Sequence, residues 1–416
     1  MNRLDPDTKR NENRLFSAVF LFWFSVYTYP SFLTSYAVNT LHATNVLAGM
    51  IVGSYGLTQM ILRIPLGILS DVLKRRKPFV MLGFGLSIVA SGGLALVDIL
   101  AGREIVPEGL ALAALFCRGV SGMTAAAWVN LSVLYSSNYH GEDLAPAMSR
   151  LIVPQCGSQI IAMLLGAQLA GRLGELYAFL LATAAGVAGL LVMARIQETR
   201  PTGEPMTIRA LAVVIRNRQL VQGTVLATVY QLVVWATAQG FVQNWARDVI
   251  GMTTAELGFL SVANLLPNTI LSRFSGTVFA PRFGRKTVLG AGFGFLAAAC
   301  CFYPQTDSMW SLMGAQALLG CGVGLIMPLT MASAIETVPE NRRGAAMGIY
   351  QAIYGLGMFA GPVIAGWVIE GFSKASAGEE TIRPGYTANF YAMAAIAVIG
   401  GILAVLLTQG RRRQSK

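Results

Sequence analysis

The chain has 416 residues, of which 54% are hydrophobic and only 12% charged, and it carries a formal net charge of +11. A chain this long and this apolar excludes an ordinary soluble domain, because runs of about 20 apolar residues are what a bilayer core of about 30 Å requires. The charge does not indicate a nucleic-acid partner either, since the basic residues gather in alternate turns and at the two ends of the chain.

In chain order the apolar runs fall at about 15–38, 46–69, 78–99, 109–136, 148–171 and 176–196. After a polar interruption they resume at about 219–245, 255–279, 286–304, 309–336, 345–370 and 388–408. All are expected to be helices, because backbone groups in lipid must be bonded within their own segment. The first run is longer than a signal-peptide core of about 7–15 residues, so it reads as a retained helix. The expectation is an all-α integral membrane protein with twelve spans. A cytoplasmic segment 1–14 leads into an N-terminal six-helix bundle, 15–196. A linker, 197–218 (QETRPTGEPMTIRALAVVIRNR), precedes a C-terminal bundle, 219–408, and a basic tail, 409–416.

Basic residues cluster at Arg3 to Arg14, Lys74 to Lys77, Arg195 to Arg218, Arg282 to Lys286, Arg342 and Arg343, and Arg411 to Lys416. The opposite turns hold only Arg103, Arg172, Arg247, Lys374 and Arg383. This positive-inside bias places both termini in the cytoplasm, in a multi-pass protein of the cytoplasmic (inner) membrane. The five cysteines lie inside the expected spans without metal-ligand spacing and read as small packing residues. No metal site and no cofactor is expected. The strings GAGFG (290–294) and GCGVG (320–324) lie within spans and read as helix packing, not as a nucleotide fold.

A repeat organises the whole. ILRIPLGILSDVLKRRKP at 61–78 returns 210 positions later as ILSRFSGTVFAPRFGRKT at 270–287. With Asp71 set over Pro281, Arg63 falls on Arg273, Leu73 on Phe283, Arg75 on Arg285 and Arg76 on Lys286. Duplicated membrane bundles place their site between the repeats near the midplane.

The phrase from Gly67 through Asp71 to Arg76 resembles the loop signature G-x-L-[AS]-D-R-x-G-R-R of the major facilitator superfamily. RGVSG at 118–122 is similar to that superfamily's helix 4 signature, and Gly357 through Gly361, Pro362 and Gly366 to its glycine-proline motif. PENRRGAAMG at 339–348 is similar to its helix 10–11 turn, so the resemblance covers the chain from first span to twelfth. It implies two pseudo-symmetric six-helix bundles working by alternating access. Gly67, Asp71, Arg75, Arg76, Arg285, Gly357, Gly361 and Pro362 are the implied gating residues. Asp71 would bind the N-terminus of the eleventh helix near Ala345 to Gly348, where a negative charge gains about 0.3–1 kcal/mol. The alternative is a solvated carboxylate in a topology-setting loop. The pattern departs at Val72, Lys74, Thr277 and Pro281, leaving one acidic latch, and the fifth span lacks the Gly-Pro pair of the superfamily's drug antiporters.

Arginine near the bilayer centre costs about 2.5–3.5 kcal/mol, so it tends to line water or a partner. Arg63 and Arg273 lie about 27 Å down their spans at 1.5 Å per residue, deep enough to snorkel to the cytoplasmic surface. Arg118 lies about 13 Å down by the same rise, near the midplane. It either contacts an anionic or strongly polar substrate or donates to neighbouring helices. Gln231, Trp235, Gln239 and Gln243 recur every four residues on the seventh span and predict a polar stripe facing a central cavity. Gln155 and Gln159, Trp23 and Tyr27, Asn264 and Asn268, and Tyr350, Gln351 and Tyr354 are further lining candidates, with interhelical hydrogen bonding as the alternative.

His42 and His140 are in turns, and Asp98, Glu336 and Glu370 lie at span ends, so no carboxylate sits near a helix centre to attract a cation. With no acid–base pair or metal cluster the chain is not expected to be an enzyme. The expectation is a monomeric secondary transporter, surrounded by membrane lipids, for a small organic solute that is neutral or anionic. A coupling ion, proton or other, has no assigned residue. Exporter-like action and uptake of an organic anion or sugar both remain open, and a non-transporting receptor or scaffold is the remote alternative.

Overall fold

The structure, a computed structural model, describes residues 6–103, 107–136, 144–198, 214–339, 342–375 and 382–408. Most of the expected linker, all of the C-terminal tail and His140 lie outside the described residues. The fold is all-α. Helices α1 (Pro6–Tyr27), α2 (Asn45–Val72), α3 (Lys77–Ala101), α4 (Pro107–Ala126, continued by Trp128–Ser136), α5 (Leu144–Leu173) and α6 (Glu175–Ala194) form the N-terminal bundle. A short helix, Leu33–Asn39, follows α1. The C-terminal bundle has α7 (Arg218–Asp248), α8 (Thr254–Phe274, running on to Phe283), α9 (Arg285–Phe302), α10 (Met309–Ile335), α11 (Arg343–Ala375) and α12 (Arg383–Leu407).

Among the described residues nine helical segments are long and apolar enough to cross a membrane. The other three expected spans, α1, α5 and α8, are helices of 22, 30 and 21 residues. They carry more polar side chains, such as Gln155 and Gln159 on α5 and Asn264 and Asn268 on α8. α1 begins at Pro6, so the expected N-terminal segment is partly helical and charged.

Local sequence sets the helix ends. The Asn217 side chain accepts from the amides of Gln219 and Leu220 to start α7, and Thr253 and Glu256 form a capping box on α8. Glu198 accepts from the amides of Arg76 and Lys77 at the start of α3, and the Lys77 ammonium donates to Ala194 O and Ile196 O, both at 2.8 Å. These contacts stitch the basic ends of α3 and α6 together with an acid at a helix N-terminus.

The two bundles meet along two crossings, α2 with α11 and α5 with α8, which the repeat interchanges. Both crossings are tight from the end away from the basic turns, the α2–α11 crossing to just past mid-helix. A Cβ on Gly53 would lie 2.7 Å from Phe359 O, one on Gly355 2.9 Å from Met60 Cβ, and one on Gly258 2.9 Å from Ala167 Cβ. Gly49 and Gly366 bring the backbones of Pro362 and Asn45 still closer. Toward the basic turns the same helices separate, and a Cβ on Gly67, Gly276 or Gly344 would meet nothing within 4 Å. Hydrogen bonds agree with this polarity. Thr34 donates to Gln243 at 3.2 Å, Arg247 to Ser35 at 3.4 Å, and Gln168 to Ala255 O at 2.8 Å, all in the closed half.

At the loop signature Lys74 takes a φ of 50°, the left-handed region that favours glycine, and its repeat counterpart Gly284 has a φ of 85°. The resemblance expects glycine where Lys74 stands. Left-handed backbone costs a side-chain-bearing residue about 1–2 kcal/mol, partly offset by the greater entropy of unfolded glycine. Lys74→Gly is therefore expected to stabilise the protein by about 0.5–1 kcal/mol, read as a higher thermal unfolding midpoint in detergent.

Candidate functional site

Where the seam between bundles stops, an aromatic and cationic cluster begins. Tyr55 of α2 stacks on Trp235 of α7 across the seam, with ring centroids 5.5 Å apart and planes at 16°. The Arg118 guanidinium of α4 lies 4.4 Å from the Tyr55 ring centroid and 5.4 Å from that of Tyr29. It donates to Ser121 Oγ at 3.3 Å, which also accepts from Tyr29 at 2.9 Å. Arg118 is thus 3% exposed, held by two rings and one hydroxyl, with its Nε unsatisfied. Cation–π contacts of this kind are worth about 0.5–2 kcal/mol, more when desolvated.

Tyr27 lies in the neighbourhood of Tyr55 and Arg118 and so joins the cluster. Tyr354 of α11 interacts with Tyr27, Tyr55 and Arg63. Of the expected lining residues the structure therefore brings together Tyr27, Arg118, Trp235 and Tyr354. Gln155, Gln159, Gln231 and Gln239 are half-buried. Tyr350 is buried against Tyr354 at 5.2 Å, and its hydroxyl pairs with Thr330 inside the C-terminal bundle at 2.9 Å.

Two expectations need correction. The every-four stripe on α7 does not run straight, because Thr237–Phe241 is a π-helical turn that shifts the register of the residues beyond it. Gln243 does not join the cluster: it accepts from Thr34 and donates to Ala238 O at 3.0 Å in the closed half. Arg63 does not snorkel. It is 4% exposed, while its repeat counterpart Arg273 is exposed. Arg63 lies inside the seam in the neighbourhood of Tyr354 and Tyr55, one turn below the Met60–Gly355 contact. Tyr55 is absent from the lining candidates read from the sequence, although Tyr55, Gln59 and Arg63 recur every four residues as clearly as the α7 stripe does. Asn264 donates to Gln316 O at 3.2 Å and so serves as interhelical hydrogen bonding.

On the basic face Asp71 pairs with Arg76 at 2.6 Å, within its own loop. Burial pulls the Arg76 guanidinium below its ordinary pKa, with Asp71 and Glu198 opposing that shift. Arg75 is exposed, and Arg285 pairs with Glu336 at 2.6 Å. Gly357 and Gly361 face α7, where a Cβ would run into the Thr228 and Leu232 carbonyls, whereas Pro362 faces Gly49 of α2. These motif residues let α11 lie flat against both α7 and α2.

The Tyr55–Trp235 stack gives a measurable coupling. A double-mutant cycle with Tyr55→Ala and Trp235→Ala is expected to return about 0.5–1.5 kcal/mol in thermal unfolding. Additive effects would mean that the rings do not pack across the seam.

Comparison with known proteins agrees with this architecture. The family model described as Major Facilitator Superfamily matches residues 15–246 and 223–416. The multidrug transporter protein MdtP of Bacillus subtilis (strain 168) is 30% identical over 112 residues, which is 27% of this chain and 20% of the relative. The niacin transporter NiaP of Acinetobacter baylyi (strain ATCC 33305 / BD413 / ADP1) is 29% identical over 134 residues, 32% of this chain and 28% of the relative. The chain thus spans less than a third of the length of these two curated relatives. Among solved structures the nucleoside transporter NupG superimposes with a TM-score of 0.71 at 15% identity, covering 95% of this chain and 98% of that one. A bacterial homolog of the human lysosomal transporter Spinster, in an inward-facing and unoccupied conformation, gives 0.72 at 13% identity, covering 97% and 98%. A family match across both bundles, and a fold with paired seam crossings that the repeat interchanges, identify the chain as a member of the Major Facilitator Superfamily.

Proposed function

We propose that the protein is a secondary transporter that carries a small organic solute, neutral or anionic, across the cytoplasmic membrane by alternating access. The observation that carries the reading is the polarity of the seam. The bundles interlock in one half through Gly49, Gly53 and Gly258, separate in the other at Gly67, Gly276 and Gly344, and leave a buried cluster at the boundary. A site reached from one face at a time is what alternating access requires. With the basic turns taken as cytoplasmic, the polarity of the seam supports an inward-facing reading of this state. The inward-facing conformation of the Spinster homolog, with which the chain superimposes over most of its length, supports that reading.

In this state Asp71 pairs with Arg76 at 2.6 Å. The outward-facing state would move the carboxylate onto the α11 N-terminus and close the basic side. Its negative charge there is worth about 0.3–1 kcal/mol, up to about 2 when partly buried. An exporter-like direction is the first reading and uptake of an organic anion the second; the multidrug and niacin transporters among the relatives support small organic molecules as the solute class.

Reconstituted vesicles test this function by solute counterflow. Asp71→Asn at equal protein density is expected to slow flux by about two- to thirty-fold, the conformational bias that the lost helix-terminus contact corresponds to. Unchanged flux would remove Asp71 from the cycle.

A further inference from the structure

The cluster holds two buried guanidinium groups and, among the described residues, no carboxylate is shown pairing with either. Arg118 is partly satisfied by two tyrosine rings and Ser121. Arg63 is not: it is 4% exposed, its Nε lacks a partner, and no hydrogen bond or ion pair is shown for it among the described residues. A guanidinium taken out of water without an anion is costly, so a site that keeps one unpaired is matched to an anion supplied from outside the chain. Topology does not explain Arg63, because the repeat counterpart Arg273 occupies the same motif position and is exposed. The surroundings indicate the rest of the ligand. Tyr55 and Trp235 stack at the closed end of the seam, with Tyr27 and Tyr354 in the neighbourhood of Tyr55. Planar aromatic walls favour a planar aromatic body.

We propose that the solute is an aromatic organic anion whose carboxylate pairs with Arg63 while its ring packs among Tyr27, Tyr55, Trp235 and Tyr354. This rests on the transport reading above and names the substrate class for the same site. Arg118, already clasped by Tyr29 and Tyr55, adds positive potential at the closed end. Arg63 stands one turn toward the open side from the Met60–Gly355 contact, so it meets a solute arriving from the basic face before Arg118 does. Guanidinium and carboxylate can form two parallel hydrogen bonds, a geometry that the lysine ammonium cannot reproduce.

The test is calorimetric binding to the purified full chain in detergent, using benzoate and 1-naphthoate, each beside its neutral amide, and cyclohexanecarboxylate as the non-aromatic acid. The acids are expected to bind about tenfold or more tighter than their amides, as a charge-assisted pair implies. Cyclohexanecarboxylate is expected to bind about two- to tenfold more weakly than benzoate. Arg63→Gln should erase the preference for acid over amide while leaving amide binding in place, which also reports that the variant is folded. Arg63→Lys should recover only part of the preference, and Arg273→Gln should leave it unchanged. Amides binding as well as acids, a preference that survives Arg63→Gln, or no heat with any probe would each overturn the assignment. Equal binding of cyclohexanecarboxylate would remove its aromatic part. Vesicle flux is read separately: binding without flux would defeat the transport reading alone, and flux of neutral solutes with no affinity for acids would defeat the anion assignment alone.

Discussion

Backbone contact between the two bundles is the constraint on which the rest of the structure depends. Lipid tails are as apolar as the helices, so no hydrophobic force draws one membrane helix to another, and association depends on close packing and interhelical hydrogen bonds. Glycine makes that packing possible at Gly49, Gly53, Gly56 and Gly366 on the α2–α11 crossing and at Gly171 and Gly258 on the α5–α8 crossing. Among the described residues these glycine contacts run from the end away from the basic turns to about mid-helix, so the molecule has a closed side and an open side. The cluster of Arg63, Arg118 and aromatic rings lies where the closed half ends.

That placement accounts for the electrostatics. A bundle interior without mid-membrane carboxylates can keep two arginines only if rings, hydroxyls or a visiting anion compensate them. Tyr29, Tyr55 and Ser121 do so for Arg118. On the open side, acids do it in the ordinary way: Asp71 with Arg76, Glu336 with Arg285, and Glu198 on the amides at the start of α3. The loop chemistry and the central chemistry thus differ in kind, salt bridges at the surface and an unpaired cation in the interior.

The glycine-proline motif of α11 shows how one segment serves two interfaces. Gly357 and Gly361 let α11 approach α7 within the C-terminal bundle, and Gly355 and Pro362 meet α2 across the seam. Movement of α11 relative to α2 would leave the α7 contact as the fixed one, because it lies within a single bundle. This gives the motif a structural meaning that a string of small residues does not convey by itself.

The apolar runs, the 210-residue repeat, the alternation of basic turns and the mid-span position of Arg118 were all legible in the sequence. They are consequences of local composition and spacing, which lipid enforces segment by segment. Burial of Arg63 and exposure of Arg273 were not legible, since equivalent positions in the repeat share a depth and differ only in what the neighbouring bundle places beside them. The register of α7 beyond Trp235 was hidden for a similar reason, because a π-helical turn adds a residue that periodicity cannot anticipate. Sequence alone determined which segments enter the membrane and how they are ordered, through hydropathy and charge. Only the tertiary structure decided which side chains meet at the seam, because that depends on how far two backbones can approach.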